Sequence, residues 1–340
     1  MFVIAVVVAL IGAVSGIAGT VISVRSQRRV TYLSSSLEEQ RAESDARRAY
    51  EYEARKRLYE VYEPLRLRLL ECTDNAVAEM DRLVGQAGPG RPGFSSAEYQ
   101  VTAAVYFLLA PLAVSRMIER RLTLVDLSLD KRIYTEFVLA QRICRSVSDE
   151  FAAANLHPPL PYTPYVKDWQ DKRQQSPQQY RRQGLPLGRL NTALDALHIT
   201  RPSDVDTLIT FGEFEPGFRQ LDTANVRSGP GAARDLFAEF DPVTRPVLWR
   251  VLIIQAMLYW CYQTVVFGEE MPDLDNLEQA FTASDIHATL KAAFFSRSDH
   301  PQAEDLKITT SAAAAYVAER LAPALRRVRL LAAPTTPTGT

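Results

Sequence analysis

The chain of 340 residues has only three cysteines and four histidines, which are the usual ligands of structural metal centres. Cys72, Cys144 and Cys261 lie far apart in apolar or helical stretches, without the close pairs of a zinc site or a redox motif. We expect them to be buried free thiols in a reducing compartment. Because no histidine has another Cys or His at ligand spacing, the sequence predicts no metal and no cofactor.

The chain also lacks an excess of charge of either sign. Its 39 basic and 40 acidic residues are interspersed and give a net charge of -1, so no global field attracts nucleic acid. Of the basic residues, 33 are Arg and only six are Lys, a skew typical of GC-rich coding that suggests a bacterium of high GC content. We therefore expect no nucleic-acid partner.

Motifs of nucleotide-binding and hydrolytic enzymes are absent or stand in the wrong setting. The pattern G-x-G-x-x-G occurs at Gly88, Gly90 and Gly93, but it follows a predicted helix, and two prolines remove donors that would bind phosphate. The chain has no P-loop, no G-x-S-x-G elbow and no H-E-x-x-H pair. The sequence therefore names no catalytic residue.

A long uncharged run opens the chain. The 23 residues from Phe2 to Val24 would form a helix of roughly 34 Å, enough to cross a hydrocarbon core about 30 Å thick, so residues 1–24 are predicted to be a transmembrane anchor. Arg25, Arg28 and Arg29 follow it directly. By the positive-inside rule they determine the topology, with the N-terminus outside and the rest of the chain cytoplasmic at the cell membrane.

The same run has two further interpretations. A cleavable signal peptide is the main alternative, although such peptides carry their positive charge before the apolar region and here it follows. Small residues also recur at helical spacing, so a second helix could approach closely along Gly12, Gly16 and Gly19. This spacing makes the anchor a candidate homodimer contact.

Residues 25–57 are predicted to be a basic linker and a charged helical stalk. Ser36 with Glu39 has the capping-box pattern of a helix start, and acid-before-base pairs such as Glu43 with Arg47 follow at i,i+4 spacing. A coiled coil is the sharper hypothesis. The positions Leu37, Arg41, Ser44 and Arg48 do not keep an apolar seam, which favours a solvated helix.

Apolar periodicity starts at Leu58, and residues 58–156 are predicted to be a bundle of helices. Its first helix should kink or restart at Pro64 and end at Gly85 to Gly93. Ser95 with Glu98 opens a second helix that reaches Arg121 through Pro111, and another is expected over about 129–156.

Residues 157–187 form a connection rich in Pro, Gln and Arg. Its P-x-x-P-x-x-P spacing could be a polyproline II ligand, but we favour a packed extended strap. Residues 188–332 are predicted to be helical and packed with the bundle, with helices near 187–197, 203–211, 232–240, 284–295 and 311–331. Residues 333–340 should be a disordered tail.

The most apolar helix after the anchor is predicted from Val247 to Phe267, opened by Asp241 and Pro242, with Arg250 as its only charge. Residues 251–267 reach the lower limit for crossing a bilayer. Aromatic and Gln side chains at several depths favour a core helix surrounded by other helices over a second span.

Together these patterns predict an all-α protein with an N-terminal transmembrane helix, a stalk and a multi-helix bundle. We expect a membrane-tethered cytoplasmic scaffold, regulator or sensor component that is not an enzyme and acts through protein contacts. The alternative is a membrane-localised enzyme or membrane-perturbing effector with a site between helices. For that alternative the locally dense candidates are Arg120, Arg121, Asp126 and Asp130.

Overall fold

A computed structural model describes residues 2–87, 98–123, 125–164, 172, 174, 176–200, 206–224, 229–238, 240–296 and 303–332. The described chain is mostly helical, which confirms the all-α prediction. The predicted glycine motif at 88–93, Ser95 of the second capping box and the tail 333–340 lie outside these residues.

The helices of the first half are α1 Phe2–Gly85, α2 Glu98–Leu122, α3 Lys131–Arg145, α4 Glu150–Asn155, α5 Pro177–Tyr180 and α6 Leu187–Asp195. Those of the second half are α7 Phe211–Ala224, α8 Gly229–Phe237, α9 Pro246–Val266, α10 Leu277–Thr282, α11 Asp285–Phe295 and α12 Ala303–Ala332. Short 3-10 turns lie at Leu127–Leu129, Ser146–Ser148 and Leu274–Asn276.

One small antiparallel sheet interrupts the helices. Strands β1 (His198–Thr200) and β2 (Asp206–Leu208) pair with Ile199 opposite Thr207. The helix predicted over 203–211 is therefore wrong at 206–208. The β-branched Thr207 suits a pleated strand, and the amide of Ile209 continues the pairing by donating to the carbonyl of Leu197.

The chain divides into two units, Met1–Arg57 and Leu58–Thr340. In the first unit the predicted helix start at Ser36 is wrong, because Ser36 lies inside α1 and its hydroxyl donates to the carbonyl of Leu33. The side chains described between residues 27 and 57 are largely exposed, and Arg47 pairs with Glu51 at 3.1 Å. Such an exposed pair contributes about 0.5 kcal/mol or less.

In the second unit, α9 is the central helix. It packs against α3, α4 and α12, and its residues are buried around its whole circumference. This burial agrees with the interpretation of 247–267 as a core helix. Among the described side chains, Tyr99–Leu122 alone is long and apolar enough to cross a membrane, and 89% of its most apolar window is buried. Core helices of soluble proteins share that property.

Prolines inside helices do not end them. Pro64 lies within α1 and Pro111 within α2, so the restart predicted at Pro64 does not occur. A helix-interior proline costs about 3 kcal/mol. Around Pro64 the side chains of Leu58, Tyr62 and Leu69 are fully buried, and their packing outweighs that cost.

Several predicted helix boundaries are shifted by local capping. The helix expected over 129–156 is split into α3 and α4, and Asp130 caps α3 by accepting from the amides of Arg132 and Ile133. Asp241 does not open α9: its carboxylate accepts from the amide of Val243 in a turn, and Pro246 takes the first helical position. The connection 157–187 contains the short helix α5.

Candidate functional site

The residues predicted for the membrane anchor belong to helix α1. The side-chain surroundings of residues 2–22, and of Arg25 and Arg28, fall outside the described part of the chain, while Arg29 is exposed. The helix-association role of Gly12, Gly16 and Gly19 and the topology role of the three arginines therefore stay predictions.

Arg120, Asp126 and Asp130, three of the residues considered for an enzyme site, make hydrogen bonds that stabilise local structure. Arg120 donates to Asp195 Oδ1 at 3.1 Å. Asp126 accepts from the amide of Ser128 at 2.9 Å, and this bond, together with one from the Ser128 hydroxyl, lowers the pKa of Asp126. Asp130 caps α3 and also accepts from the Tyr59 hydroxyl at 2.6 Å. Both carboxylates thus stabilise helix starts.

All three cysteines are free and buried, as predicted. Burial raises the pKa of Cys72 and Cys261 to about 12 and that of Cys144 to about 11, so each stays a protonated, unreactive thiol. Within the described ranges, no group of three His, Cys, Asp or Glu side chains could hold a metal ion.

A buried ionic cluster joins α1, α3 and α9. Glu136 is fully buried and accepts from the Tyr62 hydroxyl at 2.5 Å and from Arg132 Nε at 3.0 Å, with Arg66 Nε at 3.3 Å. Burial raises the pKa of Glu136, although these three neighbours act in the opposite direction. Arg66 and Arg132 both donate to the carbonyl of Val266, the last residue of α9. The cluster therefore caps the central helix.

A second buried carboxylate lies at the start of α4. Glu150 is 1% exposed and pairs with Arg182 through Oε1 at 2.8 Å, while its Oε2 is buried and has no hydrogen-bond partner among the described residues. Burial raises the pKa of Glu150 to about 7. Gly184 lies so close that an added Cβ would approach the Glu150 Cβ within 2.5 Å.

A pocket of about 310 Å³ lies beside the N-terminal half of α9. Pro158, Pro242 and Pro246 contribute rigid rings to its lining, and Trp249 and Phe294 contribute aromatic rings stacked at 5.6 Å between centroids. Asp305, Ile308 and Thr309 of α12 complete another side. The volume falls at the lower end of the range for small-molecule sites.

Two polar groups of this pocket are unusual. Arg250 is 2% exposed and donates to the carbonyls of Ala153, Leu156 and Pro158 at 3.0, 3.1 and 2.9 Å. The indole Nε1 of Trp249 is buried and finds no acceptor among the described residues. Arg250 was visible in the sequence as the only charge of an apolar helix, but nothing in the spacing placed the prolines of residues 158 and 242 beside it.

Comparisons with protein-family models, with curated proteins and with solved structures give no match for this chain.

Proposed function

We propose that this chain is a single-pass membrane protein, with residues 58–340 on the cytoplasmic side, that acts by binding and not by catalysis. The observation that carries the proposal is the uncharged run from Phe2 to Val24 followed by Arg25, Arg28 and Arg29, all within one helix. A helical run of that length matches a hydrocarbon core, and arginines behind it keep that side in the cytoplasm.

A binding role is supported by the pocket beside α9. Its lining combines aromatic rings, prolines and a buried guanidinium, groups that hold a ligand. A membrane-tethered unit of this kind suits a regulator or sensor component that passes a binding event to a protein partner.

We further propose that the anchor pairs with a second copy of the chain. Alternating steps of four and three residues from Gly12 reach Gly16, Gly19, Ser23 and Ser26, so one line along the helix carries only small residues. Most other positions of the run are Val, Ile or Leu. Small residues on one face let two membrane helices pack closely.

The same spacing continues into the stalk and reaches apolar residues there. The next positions are Val30, Leu33 and Leu37, which are 66%, 58% and 52% exposed in the single chain. Exposed apolar residues at a and d spacing are the contact positions of a short coiled coil. The seam ends at Leu37, because the following positions, Gln40 and Ser44, are polar.

Cysteine crosslinking in intact membranes tests this pairing. Leu33→Cys should give a disulfide-linked dimer on mild oxidation, since the two copies of residue 33 would face each other. Ser35→Cys is the matched control: Ser35 is also exposed but lies on the opposite side of the helix, and it should stay monomeric. Equal crosslinking at both positions, or at neither, would contradict the dimer.

Membrane attachment is tested separately by fractionation and mass measurement of the untagged chain. The full-length mass should be found in the membrane fraction after an alkaline carbonate wash. A secreted product that lacks the first two dozen residues would identify a signal peptide and overturn the proposal.

A further inference from the structure

The pocket beside α9 contains a cation whose charge is not balanced by an acid. Arg66 and Arg132 face Glu136, and Arg182 faces Glu150. The fully buried Arg245, like Arg250, donates to backbone carbonyls, but it does not belong to the lining of this pocket. No ion pair joins Arg250 to any described carboxylate, and desolvation alone lowers its pKa. Burying an uncompensated charge is costly, so such a group favours an anionic neighbour.

The carbonyls around Arg250 do not supply that anion. They accept three of the five N–H donors of the guanidinium, which holds the side chain in place and caps the end of α4. Because carbonyl groups carry no net charge, the guanidinium of Arg250 keeps its full positive charge beside the pocket. A carboxylate beside it would gain a charge-assisted hydrogen bond.

Trp249 contributes its aromatic ring to the same pocket. Buried indole N–H groups usually have an acceptor, yet this one has none among the described residues. Its ring is only 3% exposed and stacks on Phe294 with an interplanar angle of 2°. A ligand with a flat apolar body would pack against these rings, which line the pocket.

The rim of the pocket limits the charge of the ligand. Asp305 and Val243 are exposed and belong to the lining, so they mark its open side. The carboxylate of Asp305 would repel a second negative charge on the ligand. A volume of about 310 Å³ accommodates a molecule of one aromatic ring with a short side chain.

We propose that this pocket binds a small aromatic monocarboxylic acid, with its carboxylate at Arg250 and its ring against the proline and aromatic walls. This proposal rests on the binding role proposed above. It does not depend on dimerisation of the anchor.

The test uses the full-length chain in lipid nanodiscs and isothermal titration calorimetry with 3-phenylpropanoate, with 3-phenylpropanamide as its neutral counterpart. Empty nanodiscs correct for partition into lipid. The acid should bind at least about tenfold more tightly than the amide, because only the acid neutralises Arg250. Equal affinity for the two compounds, or no binding of either, would overturn the proposal.

Variants at the rim keep the result independent of folding. Val243→Glu adds a negative charge at an exposed position and should weaken binding of the acid several-fold relative to Val243→Gln. Asp305→Asn should strengthen it, because it removes the negative charge at the rim. Equal binding of the acid by the two Val243 variants would contradict a carboxylate held at Arg250 in this pocket. If the acid does not bind but Leu33→Cys still forms a crosslinked dimer, the ligand proposed for this pocket is refuted. The proposed membrane anchor and its dimer are then unaffected.

Discussion

Several arginines of this protein donate to backbone carbonyls at the ends of helices. Arg66 and Arg132 donate to the end of α9, Arg245 donates to the end of α8 at Leu236, and Arg250 donates to the end of α4. A planar guanidinium reaches several acceptors at once, which an ammonium group does not do with the same fixed geometry. The arginine-rich composition, interpreted from sequence as a coding bias, therefore includes side chains with defined structural roles.

The contact between Gly184 and Glu150 gives a prediction at a single position. Gly184→Ala should destabilise the chain by about 1–3 kcal/mol, because its Cβ would overlap the buried Glu150 side chain near both Cβ and Cδ. Thermal unfolding of the full-length chain in nanodiscs, followed by circular dichroism, would show this as a lower midpoint.

Gly188 supplies the matched control. It is exposed, lies in α6 and has nothing within 4 Å of an added Cβ. Gly188→Ala should therefore be neutral or stabilise by up to about 1 kcal/mol through helix propensity and a stiffer unfolded chain. Equal midpoints for the two variants would show that Gly184 is not constrained by Glu150.

Sequence reasoning could not find these residue contacts. Glu150, Arg182 and Gly184 are separated along the chain by a proline-rich connection, and no periodic pattern relates them. The burial of the cysteines was predictable, because each stands in an apolar or helical stretch. The pairing of Arg132 with Glu136 follows i,i+4 spacing on one helix, but the arrival of Arg66 and Tyr62 depends on how α1 packs.

A side chain distant in sequence caps the start of the central helix α9. The Oε1 of Gln183 accepts from the amides of Val247 and Leu248 at 2.8 and 3.3 Å, and the Gln183 side chain is fully buried. Arg245, at the N-cap position of α9, makes no side-chain capping bond. The start of α9 therefore relies on a residue more than 60 positions earlier.

Gln183→Ala should accordingly cost about 2 kcal/mol, since it leaves two helix-start donors buried without an acceptor. Gln178→Ala is the control, because Gln178 is exposed and contributes its backbone carbonyl to Gln183, which the substitution retains. It should change stability by less than about 0.5 kcal/mol. Unfolding midpoints that fall equally in both variants would contradict the capping role.

The elements that were predicted well have strong periodicity or composition. The apolar face after Leu58 and the apolar run of α9 are both long enough to define a buried helix. Boundaries were less predictable, since Asp241 closes a turn where a helix cap was expected and Asp130 starts a helix that was expected to begin slightly earlier. A strand of three residues at 206–208 carries too little pattern to be recognised.

At the scale of the whole molecule, the division after Arg57 falls where the sequence changes from mostly charged to periodic apolar. A solvated helix needs no core, whereas the 283 residues that follow bury a large one. Composition alone therefore separates the two kinds of structure. It does not reveal which helices of the second unit touch, because that depends on contacts between distant side chains.

The proposed topology gives a prediction for the entire chain. Replacing Arg25, Arg28 and Arg29 with Gln should produce mixed orientations, because the next charged side chain after the run is then Glu38. In a bacterial host, C-terminal fusions to a fluorescent protein and to alkaline phosphatase would report the change: the native chain should fluoresce, and the variant should gain phosphatase activity.

Arg47, Arg48 and Arg55, replaced together by Gln, form the control, since they lie more than 20 residues beyond Val24. Charges at that distance have little influence on insertion. A variant of Arg25, Arg28 and Arg29 that keeps the native orientation, or a control that changes as much, would refute the assigned sidedness.

The environment of Glu150 has a consequence for proton balance. Its carboxyl has a pKa of about 7 in the folded chain, against an ordinary value of 4.5, so between these pH values the native protein holds a proton that the unfolded chain releases. The stabilisation from this group is complete below about pH 4.5 and is lost as the pH rises through 7. Refolding near pH 6 therefore takes up a proton at Glu150, and mildly acidic pH increases the stability that this group contributes to the core.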